Sequence, residues 1–119
     1  GSSRMFKGSV VAYNNDIKVD FLNIVRRKLN DNGAVNSEIA IGMAKSIKNK
    51  FNADFGISTT GISGPGGGTT DQPVGLVYIG IKNNNKIIFN KYLFKNKGRA
   101  YIQKTAVNKS LNLILSSLK

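Results

Sequence analysis

Apolar positions along the chain change period several times, and each change predicts an element. Ser9-Val10-Val11-Ala12-Tyr13 is rich in β-formers and stops at Asn14-Asn15, which reads as a buried strand with a polar end. Asn14 or Asn15 then caps a short helix over Asp16 to Asn23, with Asp16 favourably placed in the first turn. Val25 to Gly33 is basic and polar and reads as a connection. A clearer helix opens at Asn36-Ser37-Glu38. There Ile39, Met43 and Ile47 recur every fourth residue, with Ala40 and Ala44 beside them, and this makes one apolar face.

Asp54 to Thr60 reads as a strand running into the glycine-rich stretch Gly61 to Gly68. Val74 to Lys82 and Lys86 to Phe94 read as strands joined by Asn83-Asn84-Asn85, a good hairpin turn because Asn tolerates positive φ. Gly98-Arg99 leads into a last helix reaching about Leu118. Its expected inward residues are Ile102, Ala106, Val107, Leu111, Ile114, Leu115 and Leu118. The order β-α-α-β-β-β-α predicts an α/β fold, a layered α/β/α sandwich with a mixed β-sheet. At 119 residues without repeat or linker, positions 1–119 form a single domain.

Composition then narrows the chemistry. Cys and His are both absent, which removes thiolate nucleophiles, Ser-His-Asp triads and the usual zinc ligands. The six acidic residues are scattered at Asp16, Asp20, Asp31, Glu38, Asp54 and Asp71, so no metal cage and no cofactor are expected. Ser, Thr, Lys, Tyr, Arg and backbone amides remain. No apolar run reaches the ~20 residues of a membrane span, and no signal-like start is present. The expectation is a cytoplasmic protein that makes no membrane contact.

The formal charge of +12 raises the possibility of nucleic-acid binding. The lysines, however, are spread along the chain rather than gathered into a basic cluster. Attraction of a small anionic substrate such as a phosphate fits better than specific nucleic-acid recognition.

Thr59 to Thr69, T-T-G-I-S-G-P-G-G-G-T, is the most unusual stretch. Glycines let the backbone turn with positive φ and let a ligand approach the N–H groups. A phosphate P-loop fails because Gly67 stands where its lysine should be and a strand follows instead of a helix. A dinucleotide fingerprint fails because Thr69 occupies the third glycine position counted from Gly64. A nucleophile elbow around Ser63 fails because Pro65 replaces its last glycine. A plain flexible loop between strands is the alternative for the glycines taken alone.

Taken with its surroundings, the stretch is more specific. Thr60 to Thr69 followed by Gln72-Pro73-Val74-Gly75-Leu76-Val77-Tyr78-Ile79 resembles the CinA C-terminal domain signature T-G-I-A-G-P-G-G-G-T…K-P-V-G-T-V-W-I. Gly8 to Lys18 is similar to that family's G-G-V-V-A-Y-S-N-E-A-K. Gly33-Ala34-Val35 resembles its G-A-V-S turn, with Asn36 in place of the serine. Gly98-Arg99-Ala100-Tyr101-Ile102 resembles its G-D-R-x-x-[IV], with Lys97 where the family has an acidic residue.

The resemblance implies an amidohydrolase that converts the carboxamide of nicotinamide mononucleotide to the acid and releases ammonia. A serine is the nucleophile and a lysine the general base. Lys18 matches that lysine; placed in a helix's first turn, its charged form would be disfavoured by the dipole and its pKa lowered. Tyr13 matches a family tyrosine near the site, with strand packing as the alternative. Thr60 and the N–H groups of Gly61, Gly64, Gly66 and Gly67 would hold the amide or stabilise an oxyanion. Arg99, at a helix start, would bind the nucleotide's phosphate.

The family's nucleophile lies in E-S-C-T-G-G, before the position matching Gly1. Gly1-Ser2-Ser3-Arg4-Met5-Phe6 already resembles the G-S-S-x-x-F that follows it, so Ser2 and Ser3 match structural positions. Three readings stay open: a fragment of a longer enzyme, a natural remnant starting at Met5 and serving in assembly or regulation, or a chain completed by another. Losing a helix–strand–helix unit would uncover sheet surface, so a homo-oligomer, a dimer in the simplest case, is expected.

Overall fold

The computed structural model describes residues 4–118. Ser2 and Ser3 lie outside that range. Seven elements follow in order: α1 (Asn15–Asp20), α2 (Arg26–Asn32), α3 (Ser37–Lys50), β1 (Gly56–Gly61), β2 (Leu76–Lys82), β3 (Ile87–Leu93) and α4 (Arg99–Ser117). The three strands form one sheet in the order β1-β2-β3, with both pairs antiparallel. The α/β layering follows the sequence expectation, with a helix on each face of the sheet.

The two faces are built differently. Gly56, Ser58 and Thr60 of β1 and Gly80 of β2 share the face covered by α3. These small residues let the helix backbone approach the sheet. The Ser58 hydroxyl donates to the Ala40 carbonyl at 2.5 Å, and a methyl group at Gly80 would lie 2.6 Å from that same oxygen. On the opposite face Val77 and Ile79 pack against Ile102 and Ala106 of α4, with Ile57, Tyr92 and Phe94 around them. A second apolar cluster, Leu22, Ile24, Leu29, Ile39 and Met43, joins the N-terminal segment to the outer side of α3.

Five local readings need correction. Residues 9–13 form no strand. Val10 and Ala12 are half-buried while Val11 and Tyr13 are exposed, the alternation of an extended chain, but no ladder is made. Strand propensity supplies no partner, and a lone extended segment gains no inter-strand hydrogen bonds. The sheet among the described residues is therefore wholly antiparallel rather than mixed.

Residues 26–32 are helical, not a plain connection. Leu29, 4% exposed, anchors α2 in the core while Arg27 pairs with Asp31 one turn on at 3.6 Å. α1 ends at Asp20, short of the expected Asn23, which takes φ 58° in the link that follows.

The hairpin turn forms where expected, but through a side chain rather than positive φ. Asn83 Oδ1 accepts from the N–H groups of Asn85 and Lys86, both at 2.8 Å. On α4, finally, Ile102 and Ala106 face inward, whereas Val107, Leu111, Leu115 and Leu118 are each more than half exposed. Periodicity identified an apolar stripe on α4 without showing which side meets the sheet.

Candidate functional site

Asn14 caps α1 by accepting from the Asp16 N–H at 2.7 Å, which fixes the start of the six-residue helix carrying Lys18. Lys18 falls in its last turn, not its first. The dipole there favours a cation, so it is not what lowers the pKa of this lysine. Burial is the cause: the side chain is 6% exposed, and loss of water disfavours the ammonium. Its Nζ reaches back to donate to the Ala12 carbonyl at 2.5 Å. The amine thus sits against the backbone just before Tyr13. The Tyr13 ring itself is 85% exposed and points away from the core.

Thr60 lies near the end of β1 on the α3 face, 9% exposed, and its hydroxyl donates to the Ala34 carbonyl at 2.8 Å. Gly61 ends the strand opposite Val77. The chain then turns through residues 62–75, closed at its base by Ile62 N–H to Leu76 O at 2.9 Å and Gly75 N–H to Ile62 O at 2.7 Å. Gly64 (φ 76°) and Gly67 (φ 87°) occupy the left-handed region that side-chain-bearing residues avoid, and the Gly64–Pro65 bond is cis. Gly64 is buried, while Gly66 and Gly67 are exposed at the tip.

Two long side chains hold this loop. Gln72 Nε2 donates to the Val35 carbonyl at 2.8 Å, tying the loop to the turn ahead of α3. Its own N–H is received by the Thr69 hydroxyl at 3.0 Å. Arg99 Nη1 donates to the Gly64 carbonyl at 3.2 Å, tying the loop to the start of α4. That helix start has Gly98 at its cap (φ 100°) and no side-chain cap, so its first N–H groups lack a side-chain acceptor beside the loop.

The structure therefore brings Arg99 together with Gly64 and places Thr60 at the loop's entrance. Lys18 makes its hydrogen bond elsewhere, to Ala12. An open cleft of about 250 Å³ lies between the Asn23–Val25 link and α3, bordered by Lys28, Glu38 and Lys45. It includes neither Lys18 nor the loop. Sequence reasoning missed Gln72 as a positioning residue; its place two residues before the Val74-Gly75 motif was the available signal, but a contact spanning 37 residues leaves no local trace. Among the described residues no three acidic side chains converge on a metal position, and no helix is long and apolar enough to cross a membrane.

An α/β/α layered domain whose glycine-rich turn, between the first two strands of its sheet, is strapped to the start of its last helix defines a recognisable class. The chain belongs to the CinA family: the CinA C-terminal domain matches residues 1–118. A CinA-like protein of Prochlorococcus marinus strain AS9601 is 49% identical over 122 residues, covering 98% of this chain and 29% of that protein. One from Thermosynechococcus vestitus is 41% identical, covering 99% and 29%. Among solved structures, the competence/damage inducible protein CihA of Agrobacterium tumefaciens superposes with a TM-score of 0.89 at 33% identity, covering 92% of this chain and 67% of that one. A CinA superfamily protein of Enterobacter cloacae gives 0.85 at 25% identity, covering 92% and 64%. The chain spans 29% of the length of those curated relatives.

Proposed function

We propose that this domain is the nucleotide-binding part of an amidohydrolase acting on the carboxamide of nicotinamide mononucleotide. The reading is carried by the tie between Arg99 and the Gly64 carbonyl at 3.2 Å, which puts a guanidinium and the uncapped start of α4 at the glycine turn. A phosphate there gains a bidentate cation and helix N–H groups together. The amide carbonyl is assigned to the exposed N–H groups of Gly66 and Gly67, as an oxyanion stabiliser must be preorganised and open to substrate.

Lys18 is the proposed base. Burial lowers its pKa and so raises the share of neutral amine able to take a proton from a hydroxyl. In this reading Lys18 and the glycine turn are two halves of a centre that closes when a segment carrying the serine nucleophile is supplied. Hydrolysis then runs through serine attack on the amide carbon, loss of ammonia to give the acyl-enzyme, and attack of water to release the acid.

The test is calorimetric titration of this chain with nicotinamide mononucleotide, followed by ammonia assay with and without a nucleophile-bearing N-terminal segment. Binding should weaken by about 100-fold in Arg99→Ala, the loss of a charge-assisted bidentate contact. Ammonia release should require the added segment. Failure to bind the nucleotide, with the fold intact by circular dichroism, would favour a non-catalytic assembly or regulatory domain.

A further inference from the structure

The turn ahead of α3 is held at three consecutive carbonyls by three different side chains. Gly33 O accepts from Asn36 Nδ2 at 3.1 Å, Ala34 O from the Thr60 hydroxyl at 2.8 Å and Val35 O from Gln72 Nε2 at 2.8 Å. Thr60 stands where the chain enters the glycine loop and Gln72 where it returns. Neighbouring peptide units of one turn therefore fix both arms of that loop. The turn is itself seated firmly: Gly33 takes φ 73°, and Ala34 packs on the N-terminal apolar cluster.

One side chain closes the turn. Asn36 Oδ1 receives the Ile39 N–H at 2.9 Å, which is the cap of α3. Its Nδ2 reaches back to Gly33 O and, at 3.5 Å, to Asn32 O. The acceptor half starts the helix, and the donor half has no part in the cap.

We propose that Asn36 is a positioning residue for the glycine loop. Its Nδ2 orients the turn whose Ala34 and Val35 carbonyls set Thr60 and Gln72, and through them the exposed Gly66 and Gly67. Peptide units are rigid planes joined at Cα, so a rotation that frees Gly33 O also swings the two carbonyls that follow. What the loop binds follows the amidohydrolase reading above; the link from Asn36 to the loop does not depend on it.

Asn36→Asp separates the two halves of the side chain. A carboxylate caps a helix as well as an amide does and its charge suits the helix start, so α3 should keep its helicity by circular dichroism. It cannot donate, and it sets an oxygen against Gly33 O. Amide exchange read by NMR on the whole chain should quicken at least about tenfold at Thr69 and Gly75, whose N–H groups close the loop on Gln72 O and Ile62 O. Gln72→Ala should act alike. In titration with nicotinamide mononucleotide each change should weaken binding by about tenfold. In either measurement the double variant should do little more than one change alone, because both act through one turn. A direct effect of the new negative charge on the phosphate would instead add in full. Unchanged exchange in Asn36→Asp, full additivity, or loss of α3 overturns the assignment. If the unaltered chain does not bind the nucleotide, the amidohydrolase reading fails and the exchange rates alone decide the role of Asn36.

Discussion

The two faces of one three-stranded sheet solve the packing problem in opposite ways. Against α3 the sheet presents glycine and hydroxyl side chains, and helix carbonyls come into contact with the strands themselves. Against α4 it presents Val77 and Ile79, and side chains fill the gap. The first arrangement fixes distance by backbone contact and tolerates no added atom. The second is an ordinary apolar core that loses stability in proportion to the volume removed. The α3 side is also where Thr60 stands and where Gln72 anchors the loop, while Arg99 reaches the same loop from the start of α4, so both sides contribute to the candidate site.

The largest expected effect comes from adding one carbon to the tight face. A Cβ at Gly56 would lie 2.1 Å from the Ala44 carbonyl oxygen and 2.8 Å from Lys48 Cβ. Rotamer change cannot relieve a clash with backbone, so α3 must shift away from the sheet. Gly56→Ala should lower stability by about 4 kcal/mol or more, beyond the usual range for overpacking. Chemical denaturation measures it; a loss below about 1 kcal/mol would mean that the two layers are not locked by that contact.

The α4 face should respond more moderately to losing atoms. Ile79 is fully buried, and Ile79→Ala should cost about 3 kcal/mol through lost burial and the cavity left behind. The pair of variants sharpens the contrast: Gly56→Ala should outweigh Ile79→Ala although it changes one carbon rather than three. The reverse order would mean that the two faces pack alike.

The same contrast explains what could be read in the sequence. β2 and β3 were legible because the run Leu76–Ile81 and the Asn83 turn carry local signals, and α3 because Asn36 caps a four-residue repeat. α2 was hidden because Leu29 is its single buried anchor. Residues 9–13 looked like a strand because propensity is local while pairing is not. Arg99 and Gly64 were both identifiable as site residues, but their contact, like that of Gln72 with Val35, joins distant segments and is set by packing. For Lys18 the direction of the pKa shift was readable and its cause was not, because burial by the rest of the fold is invisible from neighbouring residues.

The smallest effect concerns that lysine, and pH isolates it. Burial lowers the folded-state pKa of Lys18 below its ordinary value of 10.5, so the unfolded chain holds the proton more strongly than the folded one. Stability attributable to this group is therefore penalised in full below the folded pKa. It recovers as pH rises through the window between the folded value and 10.5, where the unfolded state binds more protons. Lys18→Met removes the titration but keeps an apolar stem in the same place. Denaturation midpoints of the two proteins, compared from pH 7 upward, should converge as the wild type sheds its buried charge, with the variant ahead at the lower pH. A constant gap across that range would show that the Ala12 carbonyl compensates the ammonium fully; this amine would then remain charged in the fold and could not serve as a base near neutrality.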